Sequence, residues 1–126
     1  MKKWLIAFIF VILSQLALAL PNPVITINPT SVYEYSTTAF NITVNNFMGN
    51  EVITQMETDT AGFNVINVTY FANWASVISQ DNITWTGSSI PTNVISALFQ
   101  FTARAPAVTA NETRTWLISS TGASTQ

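Results

Sequence analysis

The chain has 126 residues, 48% apolar and 8% charged, with no cysteine and no histidine. The missing cysteine excludes disulfides, thiolate chemistry and cysteine-held zinc, and the missing histidine removes the commonest general base and metal ligand. Four basic residues stand against six acidic ones; so few cations cannot neutralise a phosphate backbone, which argues against nucleic acid or an anionic membrane surface as partner.

The first twenty residues, MKKWLIAFIFVILSQLALAL, join a basic start at Lys2 and Lys3 to an apolar run from Trp4 to Leu13 and a small-residue end at Ala17-Leu18-Ala19. This three-part pattern predicts an export signal over residues 1–19, cut after Ala19. An uncleaved anchor needs roughly 17–25 apolar residues, and Ser14 and Gln15 interrupt the run. A prepilin-type leader would be cut beside its basic residues, which Trp4 directly after Lys3 does not suit. The expected location is therefore extracytoplasmic, with membrane contact only through an uncleaved signal. Both lysines leave with the signal, so residues 20–126 keep Arg104 and Arg114 against six carboxylates, a net charge of −4. That length suits one domain held by its own core, placed at 20–120, followed by a polar tail at 121–126.

Along the domain, apolar and polar residues alternate in short runs. Phe40-Asn41-Ile42-Thr43-Val44-Asn45 sends Phe40, Ile42 and Val44 to one face and its polar residues to the other, and residues 97–104 do the same around Phe99 and Phe101. Period two is the mark of a half-buried strand. Runs 24–28, 52–58, 63–71, 74–79, 82–86 and 113–119 are read as further strands. Residues 29–31, 46–50, 60–62, 87–89 and 105–106 are read as turns or loops. No window carries a capped amphipathic helix, and 91–98 offers one turn at most. Seven or eight short strands in about 100 residues predict an all-β, antiparallel immunoglobulin-like β-sandwich.

Candidate chemistry is sparse. Asn41, Asn67, Asn82 and Asn111 each head an Asn-x-Thr triplet, the N-glycan acceptor pattern on an exported chain. A dozen Asn in a chain about a quarter Ser and Thr should give roughly three such triplets by chance. The count therefore carries little; the placement of Asn41, Asn67 and Asn82 on polar strand faces carries more. Glu57, Asp59 and Asp81 lack the spacing of a calcium loop and are read as solvated loop charges. A glycosidase pair would need carboxylates facing across a cleft. The serines have no histidine and, after processing, no lysine to activate them. No catalytic residue, cofactor or metal site is expected. Trp74, Trp85 and Trp116 with Phe99 and Phe101 are a conceivable sugar-stacking set, but Trp85 shares parity with Ile83 and Trp116 with Ile118, which predicts core positions.

In order, Val24-Ile25-Thr26-Ile27-Asn28-Pro29, the Phe40 strand, Gly62-Phe63-Asn64-Val65, Trp74, Ile83-Thr84-Trp85-Thr86-Gly87-Ser88-Ser89-Ile90 and Phe99-Gln100-Phe101-Thr102-Ala103-Arg104-Ala105-Pro106 resemble the YcnI-like family of exported immunoglobulin-like domains, which bind copper in characterised members. The resemblance implies a copper site on a histidine at the mature N-terminus, with acidic and tryptophan partners. The matching place here is Val24, the acidic position falls on Thr38 or Ala39, and Trp116 alone matches a ligand position, so copper binding is not carried over. The family commonly continues beyond the stretch resembling 112–120 into a further strand. Without that strand a sheet edge stays open, to be blunted or filled by a neighbour.

Three functions follow as expectations. The first is a non-enzymatic domain of the cell envelope or surface, a YcnI-like relative without copper. The second is a structural subunit or adhesin completed by a strand from another copy, with residues 20–28 as donor. The third is a carbohydrate-binding module, which needs two tryptophans on one exposed face. Partners are accordingly other surface proteins or copies of the chain.

Overall fold

The computed structural model describes residues 5–12, 23–47, 51–69, 73–94 and 96–123. Among the described residues ten strands form: β1 (Leu5–Ile12), β2 (Val24–Asn28), β3 (Ser31–Tyr33), β4 (Thr37–Asn45), β5 (Val52–Asp59), β6 (Asn64–Thr69), β7 (Trp74–Ile78), β8 (Asn82–Ile90), β9 (Ala97–Arg104) and β10 (Glu112–Ala123). They build two sheets, in the orders β3-β1-β10-β5-β8-β7 and β2-β4-β9-β6, so the chain is an all-β sandwich.

The order is that of the immunoglobulin frame, in which one sheet reads A-B-E-D and the other C-F-G. Strands β2, β4, β9 and β6 take the A, B, E and D places with every pair antiparallel. Strands β5 and β10 take C and F, and the β7–β8 hairpin widens the sheet beyond β5. The G place, beside β10, is held by β1. A strand following F through a hairpin would run antiparallel to it. Strand β1 instead runs parallel to β10, from Ile6↔Glu112 to Ile12↔Ile118, and antiparallel to β3, from Leu5↔Tyr33 to Ala7↔Ser31.

The alternation seen in the sequence becomes the core. Strand β4 buries Phe40, Ile42 and Val44, and β9 buries Ala97, Phe99, Phe101 and Ala103, each fully. From the facing sheet come Ile83 and Trp85 of β8 with Trp116 and Ile118 of β10. Phe40 stacks on Phe101 at 5.2 Å between ring centroids, Trp116 lies 5.3 Å from both, and Trp85 lies 5.5 Å from Phe99. Such aromatic pairs contribute about 0.5–1.5 kcal/mol each beyond the area they bury.

Three local readings are corrected. Residues 87–89 do not end a strand; β8 continues through them to Ile90. Gly87 pairs with Trp74, and a Cβ on it would lie 2.6 Å from Trp74 Cγ and 2.7 Å from the Asn73 carbonyl oxygen. The glycine serves close approach within the hairpin, not a turn. Residues 29–31 are not wholly a turn, because Ser31–Tyr33 forms β3. The chain crosses there from the edge of one sheet to the edge of the other, and Val32 alone among the three is buried, which leaves no periodicity to read. Finally, β10 runs past residue 119 to Ala123, pairing Gly122 with Ile53 and Ala123 with Val52. The cleavage pattern Ala17-Leu18-Ala19 and residues 124–126 lie outside the described residues.

Candidate functional site

The four acceptor asparagines fall into two pairs. Asn67 on β6 and Asn111, just ahead of β10, are exposed. Asn41 and Asn82 are half-buried and engaged: Asn41 Oδ1 accepts from Gln100 Nε2 at 2.8 Å, and Asn82 Nδ2 donates to Glu57 Oε1 at 2.9 Å. A glycan attaches at Nδ2, the same atom that Asn82 gives to Glu57.

Two of the three carboxylates read as loop charges are strand residues. Glu57 and Asp59 sit two apart on the outward parity of β5, half-buried, while Asp81 lies exposed in the β7–β8 turn. Asp59 Oδ1 accepts the Leu117 backbone N–H at 3.1 Å. Burial pushes the Asp59 carboxyl above its ordinary range, partly offset by that hydrogen bond. Among the described residues, no three acidic groups gather as a cation would require.

Trp74, Trp85 and Trp116 are core residues. Trp74 is 4% exposed and Trp85 and Trp116 are fully buried, so among the described residues they present no stacking platform. The indole N–H groups of Trp74 and Trp85 are buried without a hydrogen-bond partner there, a cost of about 1–3 kcal/mol each that their packing must outweigh.

Asn46 belongs to a predicted loop and carries no sequence signal of a structural role. It is fully buried, and its Nδ2 donates to the carbonyls of Glu51, Ile90 and Pro91 at 3.0–3.2 Å. Its backbone N–H reaches the Val94 carbonyl at 3.0 Å. One side chain thus ties the end of β4 to the β8–β9 connection, a role that nothing in an Asn45-Asn46 dipeptide announces.

What remains as working surface is the sheet edges. Edge strands expose unpaired backbone groups, and soluble proteins blunt them with lysine, proline or inward charges. Here the edge strands β2, β3, β6 and β7 contain neither a charged residue nor a proline. Every strand-borne charge, namely Glu57, Asp59, Arg104, Glu112 and Arg114, lies on interior strands β5, β9 and β10. Each edge also shows a large apolar side chain to solvent: Val24, Tyr33, Ile66 and Val77 are 52–67% exposed.

The second feature is the place beside β10. Its occupant, residues 5–12, is the apolar core of the predicted export signal. Val32 of β3 and Trp116 and Ile118 of β10, all buried, lie on the strands that flank it.

No family model, curated protein or solved structure matches the chain.

Proposed function

We propose that this chain is an exported, non-enzymatic β-sandwich of the cell envelope or surface that works by pairing its sheet edges with copies of itself. The observation that carries the reading is the distribution of strand-borne charge: among the described residues it sits on interior strands, and the edge strands carry none and expose an apolar residue each. An exposed, uncharged edge is a template for another strand. An antiparallel edge can meet its own copy about a two-fold axis, giving a closed, isologous contact. The buried tryptophans and the scattered carboxylates leave binding through backbone ladders as the chemistry best supported.

Sedimentation of the processed chain over a concentration series tests this. Self-association is expected, and Val77→Lys, at a site 67% exposed, should reduce it while leaving the melting temperature within a few degrees. A wild-type chain that stays monomeric throughout the series sinks the reading.

A further inference from the structure

We infer that the place beside β10, held in the full chain by residues 5–12, is a strand-acceptor site that takes an extended, uncharged segment of a second, different protein once the signal is removed. The inference rests on the reading of the chain as exported. It concerns a different surface from the β7 edge, so the two can fail separately.

The argument begins with what removal uncovers. Taking away β1 unpairs β10 from residue 112 to residue 118 and β3 from residue 31 to residue 33. The strands left flanking the gap carry Trp116, Ile118 and Val32, at 0%, 1% and 6% exposure in the full chain. Backbone donors and acceptors of two facing strands lose their partners together beside a core, which leaves a slot that a further strand can enter. An interior place of this kind, with a ladder on both sides and apolar residues beneath, is what strand addition fills.

The observed occupant defines the chemistry of the guest. Leu5–Ile12 has eight apolar residues and no proline, and it enters parallel to β10 in the register Ile6↔Glu112 to Ile12↔Ile118. A guest should therefore be extended, free of proline and charge, and run in the same direction as β10.

A second copy is a poor source. Among the described residues, β2 and β4 to β10 each keep a place in a sheet without β1, so a copy that donated one of them would open a gap in itself, and β3, which is freed with β1, is only three residues long. Residues 20–28, the donor expected from the sequence, illustrate this. Val24–Asn28 is paired in its own sandwich, from Val24↔Asn45 to Asn28↔Asn41. Pro21 and Pro23 lack the N–H groups that a strand flanked on both sides must supply. The guest is instead a segment with no place of its own in a sandwich, carried by another exported chain.

The experiment uses the processed protein, the full chain, and a synthetic peptide of residues 2–12, whose two lysines aid solubility. Amide exchange at residues 31–33 and 112–118 is expected to speed up about tenfold or more on processing. The peptide should restore protection there, and the same peptide carrying Ile9→Pro should not. Full chain with Ile9→Pro gives the same readout without processing. Direction is read by cross-linking, unambiguous because the chain has no cysteine. Thr113→Cys should bridge to a peptide carrying Ala7→Cys, its partner in the parallel register, and not to one carrying Val11→Cys. Exchange unchanged by processing, or peptide protection confined to β7, overturns the site. Self-association of the processed chain that the peptide dissolves assigns the place to a second copy and overturns the different partner. A monomeric processed chain that still binds the peptide at β10 sinks the edge-pairing function and leaves this site standing.

Discussion

The two flanks of the larger sheet are built on different terms. On one side of the β5–β10 pair, β8 and β7 follow as a tight hairpin: Ser79 N–H and Oγ–H both donate to the Asn82 carbonyl, at 2.8 and 3.1 Å, and Gly87 lets Trp74 close down upon it. All partners there come from one stretch of chain, and the core beneath is fully buried. On the other side, β10 meets a segment from the opposite end of the sequence, in parallel, and β3 adds only three residues. A filled core and a complete sheet are thus separate achievements. Alternation of apolar residues secures the first, and the second depends on a strand that export is expected to remove.

The largest expected effect tests the complete flank. Trp85→Ala should cost about 3–5 kcal/mol in urea unfolding, equally in the full and processed chains. Trp85→Phe should cost far less, because it also discards an unpaired buried N–H. Ile118→Ala sharpens the contrast: about 2–5 kcal/mol in the full chain, and clearly less in the processed chain, where one wall beside it is gone. An identical cost in both forms would break the comparison. Next comes Gly87→Ala, whose added Cβ cannot fit without moving β7. It should cost about 1–3 kcal/mol, and a wild-type midpoint would show the hairpin to be looser than its contacts imply.

Asp59→Asn is expected to have the smallest effect. Burial raises the Asp59 carboxyl above 3.8, so folding favours its protonated form. The stability it contributes is complete below that value and is lost as pH rises through the raised folded value. Asparagine keeps an acceptor for the Leu117 N–H and removes the titration. Melting temperature plotted against pH in the acid range should therefore flatten in the variant; an unchanged slope would rule Asp59 out as its source.

Much of this architecture is legible in the sequence where two conditions coincide: period-two alternation and a run long enough to show it. β4, β8 and β9 meet both, so Phe40, Trp85 and Phe101 could be placed in the core from parity alone. β3 fails the second condition, with Val32 as its single inward residue. Gly87 is ambiguous in sequence because a glycine beside two serines looks the same whether it turns the chain or admits an indole. The hydropathy of residues 5–12 predicts an export signal, whereas the place of β1 in the sheet follows from a gap that only the assembled frame defines. Bare edges are likewise invisible until strand order is known, since an uncharged run says nothing about whether neighbours flank it.

The parallel entry of residues 5–12 has a mechanical consequence. A guest lying alongside β10 in the same direction, and pulled along its own axis, would load the ladders on both sides in shear. Its hydrogen bonds would then have to yield together, not one by one as in an unzipping hairpin. A junction made in that orientation would resist tension along the strand and part easily when peeled from an end, and it would transmit force in one defined direction through the domain.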